Sequence, residues 1–203
     1  MSARVVHPIE ARSYRILRSR ADTSTLSYWS RAVAERVVHA SADLGYLDDL
    51  VLDEPSLEAA ARALADGAPL VADAAMVAAG ITARTSLVLV GDLRTAESAA
   101  SLGTTRSAAA MHLAADQVGP GAVWVVGNAP TALEAVVDLA RRTRPALVVG
   151  LPVGFVGAVE SKARLRDAGI PAVSNVSEKG GSAVAAAAVN ALLYGDPLEG
   201  EGT

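Results

Sequence analysis

The chain has 203 residues and a mass of 20.6 kDa, which suits one α/β domain and leaves little room for a second. Hydrophobic residues make up 51% and charged residues 20%, a balance that excludes a disordered chain. A formal net charge of −4 removes the basic face that sequence-independent nucleic-acid binding needs, and the absence of cysteine removes disulfides, thiolate metal sites and a thiol nucleophile. The segment 1–18 carries charges throughout and no apolar h-region. A first helix is expected there, with Ile9, Ser13, Ile16 and Leu17 on one side at the 3.6-residue period. A second is marked by Leu26, Trp29, Val33, Val37, Ala40 and Leu44, with Ser24 or Thr25 as cap and Gly45 as stop. A helix over 55–66, an apolar run at 69–72 and a helical AAMVAAG follow. Strand–helix units come next. Strands are expected at 86–90, 121–126, 146–150 and 170–176; a short helix and then one near 104–117 follow the first, and helices near 129–142, 157–168 and 180–194 follow the others. Strands that read as continuous apolar runs and alternate with helices imply a mainly parallel sheet covered on both faces, preceded by a helical segment. One domain over 1–203 is expected, frayed over about 196–203. With only 3% aromatic residues against 43 alanines, its core must come from aliphatic side chains and close alanine packing. The longest apolar run, 183–189, is too short to span a bilayer, so a cytoplasmic protein without a membrane partner is expected.

Ligands of an open parallel sheet bind beyond the carboxyl ends of its strands. That edge is legible: GNAPTAL follows 121–126, LPVGFVGAVESK follows 146–150, and SEKGGS follows 170–176. Glycines let the backbone approach a ligand, and the following helix N-termini offer N–H groups to an anion. Turn and capping chemistry accounts for any one of these loops, with Asn128 or Thr131 and Glu134 able to form a cap; three on one edge point to a site. None is a nucleotide fingerprint. Arg106 opens the helix in TTRSAAA, where the macrodipole disfavours a cation, so it is either solvated or joins the N–H groups in gripping a carboxylate. Sixteen of the eighteen cationic residues are arginine, the residue suited to bidentate carboxylate capture.

His7 lies in the N-terminal arm and His112 borders an alanine-rich helix face; neither has a ligand-spaced partner, and no metal site is expected. His39 lies about 120° from the centre of the second helix's apolar stripe, with Arg36 one turn earlier on the same border. Such a histidine is either a hydrogen-bonded packing residue or a general acid or base titrating near neutrality. Ser13 sits inside the first helix's stripe, bonded back to its own helix or serving as a fixed donor to a cavity. Arg18 points away from that stripe.

These residues carry a resemblance. RVVHA (36–40), GAPLVADAAMVAAGIT (67–82), GTTRSAAA (103–110), GNAPTAL (127–133), GLPVGFVGAVESK (150–162) and GGSAVAAAAVNALL (180–193) together resemble the precorrin-8X methylmutase family from about Ser13 to Leu193. The resemblance implies a corrin-biosynthesis isomerase that moves a methyl group from carbon 11 to carbon 12 of precorrin-8X, giving hydrogenobyrinic acid, or of cobalt-precorrin-8, giving cobyrinic acid. It implies His39 as proton donor or acceptor to the tetrapyrrole. Ser13, Arg36, Arg106, Ser107, Thr82, Asn128 and Lys179 are the implied substrate contacts, in a homodimer that uses no cofactor. The chain departs from the family pattern after His39, at Ala75 and Ala79, over a shortened 82–92 stretch and at SEKGGS, where Lys179 stands for an arginine. A tetrapyrrole carrier on the same fold and a small-acid isomerase are the competing readings.

Overall fold

Four parallel strands define the sheet: β2 (Leu70–Ala72), β3 (Val123–Val126), β4 (Leu147–Gly150) and β5 (Ala172–Asn175), with β1 (Leu50–Val51) added antiparallel at the β5 edge. The order is β1-β5-β4-β3-β2. A computed structural model describes residues 6–198 of the chain. β2, β3 and β4 are buried at every position, the expected result when helices cover both faces.

Strand alternation sends the two side-chain sets into separate cores. Leu70, Val123, Val125, Leu147, Val149 and Val173 pack with α2 (Tyr28–Ser41), α4 (Glu54–Ala65), α5 (Ala75–Gly80) and α10 (Ser182–Tyr194). Val71, Trp124, Val126 and Val148 pack with α7 (Arg106–Val118), α8 (Pro130–Thr143) and α9 (Ala158–Asp167). The α/β reading is thus borne out, and the helices expected at 55–66, 104–117, 129–142, 157–168 and 180–194 are present within a residue or two at each end.

The remaining elements are α1 (Pro8–Arg20), the short α3 (Tyr46–Asp49) and α6 (Leu93–Leu102). The strand expected at 86–90 reduces to one parallel bridge, Leu87 beside Val71. Two hydrogen bonds hold it, Leu87 N–H to Leu70 O and Ala72 N–H to Leu87 O, before the chain turns at Leu89. As an edge segment it has a partner on one side only.

The first helix turns a different face inward. Ile9 and Ile16 are exposed at 73% and 42%, whereas Ala11, Tyr14 and Leu17 are buried. His7 caps this helix, its Nδ1 accepting the Ile9 N–H at 3.2 Å. α2 starts after Ser27, not at Ser24 or Thr25, because the Glu54 carboxylate of α4 accepts the N–H groups of Trp29 and Ser30 at 2.8 Å each. It ends at Ala42 in the left-handed conformation, so Gly45 is not its stop. Of the tail expected to fray, Asp196 has a side chain only 6% exposed and held by two arginines; 199–203 lie outside the described residues.

α10 approaches the sheet closely because it carries alanine where a core helix usually carries leucine. A Cβ on Gly127, at the end of β3, would lie 2.8 Å from Ala185 Cβ and 3.0 Å from both Ser182 Cα and Val77 Cγ2. Nothing lies within 4 Å of the corresponding position at Gly91. Gly127→Ala is therefore expected to cost about 1–3 kcal/mol in a urea melt, and Gly91→Ala less than about 0.5 kcal/mol.

Candidate functional site

Two helices bring the first group together. Ser13 Oγ of α1 and His39 Nδ1 of α2 share a hydrogen bond of 2.9 Å. The Tyr14 ring stacks on the His39 ring, with centroids 4.8 Å apart and planes 14° from parallel. His39 is nevertheless exposed, so a molecule arriving from outside can reach its imidazole. The shared hydrogen bond fixes the ring and leaves Nε2 as its second polar position. Because a hydroxyl both donates and accepts, Ser13 serves either tautomer.

Arg36, one turn before His39, is 7% exposed. Its Nη1 lies 3.9 Å from the Glu10 carboxylate, and its guanidinium carbon lies 5.6 Å from the centre of the Tyr194 ring. Nε and Nη2 are buried with no hydrogen-bond partner among the described residues. Two unmatched donors on a buried cation suit an oxyanion. Tyr194 OH lies 3.1 Å from Thr82 Oγ1, while Asn190 accepts the Thr82 N–H at 3.3 Å and donates to Gly80 O at 2.7 Å. Ser13, Arg36, His39 and Thr82 are thus linked through α1, α2 and the C-terminal end of α10. An apolar groove of about 890 Å³ adjoins this group at Tyr194, walled by Trp29, Leu64, Leu192 and Leu193. Arg84 at its margin is committed to two carbonyls, Leu64 O at 2.7 Å and Ala68 O at 3.1 Å.

Three of the expected residues lie elsewhere, near the starts of α7 and α8. Arg106 and Ser107 open α7, whose cap Thr105 bonds Thr131 at 2.7 Å. Asn128 is exposed beyond β3. The anion-accepting N–H groups expected at this junction are already occupied. Asp73, 1% exposed, accepts the Gly127, Asn128 and Ala129 N–H groups at 3.1, 2.9 and 2.9 Å. Burial raises its carboxyl pKa against the opposing pull of those bonds. Neither Asn128 nor Thr131 caps α8, whose N-cap is Ala129. α7 and α8 cover the face of the sheet opposite α2, so this chain alone does not bring Arg106, Ser107 and His39 into contact.

Lys179 holds the Asp43 carboxylate at 2.7 Å and lies 5.5 Å from the Tyr46 ring centre. That pairing lowers the Asp43 pKa and raises that of the lysine. It also ties the SEKGGS loop to the residues just after α2. Beneath the loop, Lys162 is fully buried and donates to Asn175 Oδ1, Ser177 O and Lys179 O at 2.9, 2.5 and 2.7 Å. All three ammonium donors are used, although burial pushes the pKa down to about 8. Among the described residues no group of three His, Cys, Asp or Glu side chains could hold a metal ion, and no helix is long and apolar enough to cross a membrane.

Glu10, Tyr14, Asn190 and Tyr194 are not among the residues the sequence singles out. For α1 the signal was available in the i, i+3, i+4 spacing of Glu10, Ser13 and Tyr14; for Tyr194 and Asn190 no local signal existed. Lys162→Met is expected to strand three acceptors and lower stability by about 2–3 kcal/mol in a denaturant melt, with the 175–181 amides the first to lose hydrogen-exchange protection.

The chain matches the precorrin-8X methylmutase family profile over residues 8–195. It is 39% identical to a precorrin-8X methylmutase of Sinorhizobium sp, across 91% of this chain and 92% of that one. It is equally 39% identical to a cobalt-precorrin-8 methylmutase of Methanocaldococcus jannaschii, across 79% and 77%. The crystal structure of a precorrin-8X methylmutase from Thermus thermophilus superimposes with a TM-score of 0.82 at 34% identity, covering 92% of this chain and 96% of that one. A conserved-length match of this kind, on a fold with this helix pair and sheet edge, makes the chain a member of the precorrin-8X methylmutase family, isomerases of cobalamin biosynthesis.

Proposed function

We propose that this protein is a cytoplasmic isomerase that moves the methyl group of precorrin-8X, or of cobalt-precorrin-8, from carbon 11 to carbon 12, with His39 as the proton donor and acceptor. The observation that supports the reading is the Ser13–His39 hydrogen bond beside a buried arginine with two donors unmatched among the described residues. A [1,5]-sigmatropic shift breaks the bond from the methyl to carbon 11 as it forms the one to carbon 12, so atoms balance within the substrate. The protein must hold the macrocycle in the reactive conformation and bias its charge. His39 Nε2 lends a proton to the tetrapyrrole and recovers it after migration, while Ser13 matches whichever tautomer results.

In this reading Arg36 receives a peripheral carboxylate, with Thr82 placed beside it by Tyr194. Lys179 can exchange its half-exposed partner Asp43 for a substrate carboxylate at little cost, because exposed ion pairs are weak. Arg106, Ser107 and Asn128 contact the same macrocycle in a homodimer, contributed by the second copy. The placement of α7 across the sheet from α2 supports this arrangement.

The test is absorption spectroscopy of the purified protein with precorrin-8X and, separately, with cobalt-precorrin-8. Conversion to the corrin product is expected with at least one, and His39→Ala should lower turnover about a hundredfold or more with the fold intact. Near-normal turnover in that variant removes the role of His39; tight binding of both forms without conversion makes the protein a tetrapyrrole carrier. Arg36→Ala is expected to weaken substrate binding on the order of tenfold, with a smaller change in turnover. Mixing His39→Ala with Arg106→Ala should restore about a quarter of wild-type turnover if each site draws on two copies, and none if each chain is self-sufficient.

A further inference from the structure

Glu35 lies on α2 one residue before Arg36 and four before His39, and it is fully buried. A buried carboxylate persists only when paired and hydrogen-bonded. Arg18 of α1 supplies the pair side-on, with Nε to Oε1 at 2.9 Å and Nη2 to Oε2 at 2.8 Å. Thr23 Oγ1 donates to Oε1 at 2.5 Å. The same Nη2 reaches both oxygens of Asp196, at 2.9 and 2.8 Å, and Arg31 Nη2 joins Asp196 at 3.1 Å. Two arginines and two carboxylates thereby lock α1, α2 and the chain just beyond α10 together.

We propose that Arg18 is a positioning residue: its clamp on Glu35 and Asp196 sets the register of α1 on α2 and so holds Ser13 and Tyr14 against His39. α1 meets α2 at two levels about one helical turn apart, Arg18 on Glu35 and Ser13 with Tyr14 on His39. Its apolar anchorage is thin, consisting of Ala11, Tyr14 and Leu17, because Ile9 and Ile16 face solvent. Apolar contact is non-directional and tolerates sliding. A two-bond guanidinium–carboxylate fork does not, since displacement by a fraction of an ångström breaks one of its bonds. Glu35, being buried, has no water to turn to. The register of the Ser13–His39 bond is therefore set about one turn further along the helix.

The geometric part of this proposal stands on the packing alone; its consequence for turnover rests on the methylmutase reading above. The experiment uses ligand-free protein first. Nuclear magnetic resonance of the His39 ring protons reports the Tyr14 stack through its ring current. Arg18→Met, Arg18→Lys and Asp196→Asn are compared with wild type, each with its melting temperature. Arg18→Met should move the His39 ring resonances away from their ring-current-shifted positions, and Arg18→Lys should restore them only in part because an ammonium cannot form the fork. Asp196→Asn, which leaves the Glu35 pair intact, should shift them less and serves if Arg18→Met does not fold. Unmoved His39 resonances in the folded variants, with only a lower melting temperature, would overturn the proposal.

In turnover, Arg18→Met is expected to lower kcat on the order of tenfold while KM changes by less than about threefold. Combining it with Ser13→Ala should add less than about twofold to the larger single effect, because both act on one contact. Additive losses would mean that Arg18 acts elsewhere. Moved resonances with unchanged kcat would confine the clamp to structure and overturn its link to catalysis, whereas full turnover in His39→Ala would remove the methylmutase role and leave the geometric result intact.

Discussion

Everything on the α2 side of the sheet depends on how little side chain α10 carries. Its buried surface is mostly alanine, Ala185 to Ala188 and Ala191, and glycines receive it on the neighbouring elements. A Cβ on Gly80 would stand 2.6 Å from Ala186 Cβ, and one on Gly127 2.8 Å from Ala185 Cβ. Interiors are packed to crystal-like density, so such small surfaces bring backbones close together. α2 packs along α10 and is buried continuously from Ala32 to Val38, with Arg36 nearly enclosed and His39 just emerging. A bulkier α10 would lift α2 and separate Arg36 from Tyr194.

Buried charges do directional work that a core so poor in aromatic residues leaves undone. Glu35, Asp73 and Lys162 are each within 1% of complete burial, and each joins segments distant in sequence. Glu35 receives α1, Asp73 receives the turn after β3, and Lys162 receives the loop after β5. Breaking any of them leaves a desolvated group with nothing to replace its partner, which makes the geometry near the site stiff. Asp73 also shows why a glycine-bearing turn before a helix is not automatically an anion site: the protein's own carboxylate fills it.

In a single chain the α1–α2 cluster and the start of α7 lie on opposite faces of the sheet, while Lys179 joins the loop after β5 to Asp43 just beyond α2. Arg36, Thr82, Ser13 and His39 are joined by contacts through α10 and α1, while Arg106 and Ser107 belong to a helix on the other face. Exposure of His39 and of Phe155, at 97%, leaves both surfaces open to a large flat ligand or to another chain. A macrocycle with carboxylates around its rim is the kind of ligand that can engage arginines spread so widely.

The sequence by itself determined the parallel sheet, its helices on both faces and the edge at which its loops gather. Strands buried on both faces must be continuously apolar, and helices must repeat every 3.6 residues, so these are local signals. It also determined that Arg36 and His39 lie one turn apart on the same helix, but not that Arg36 is buried and His39 exposed, where a shared border was expected. Only the tertiary structure decided which side of α1 faces inward, Tyr14 over Ile9 and Ile16, because periodicity shows which residues share a face and not which face finds a partner. It likewise decided that Lys179 meets Asp43, that Asp73 caps the turn expected to bind an anion, and that 86–90 contributes one bridge. The partners of Arg18 lie 17 and 178 positions away, and an ion pair closed over such separations leaves no pattern in the local sequence.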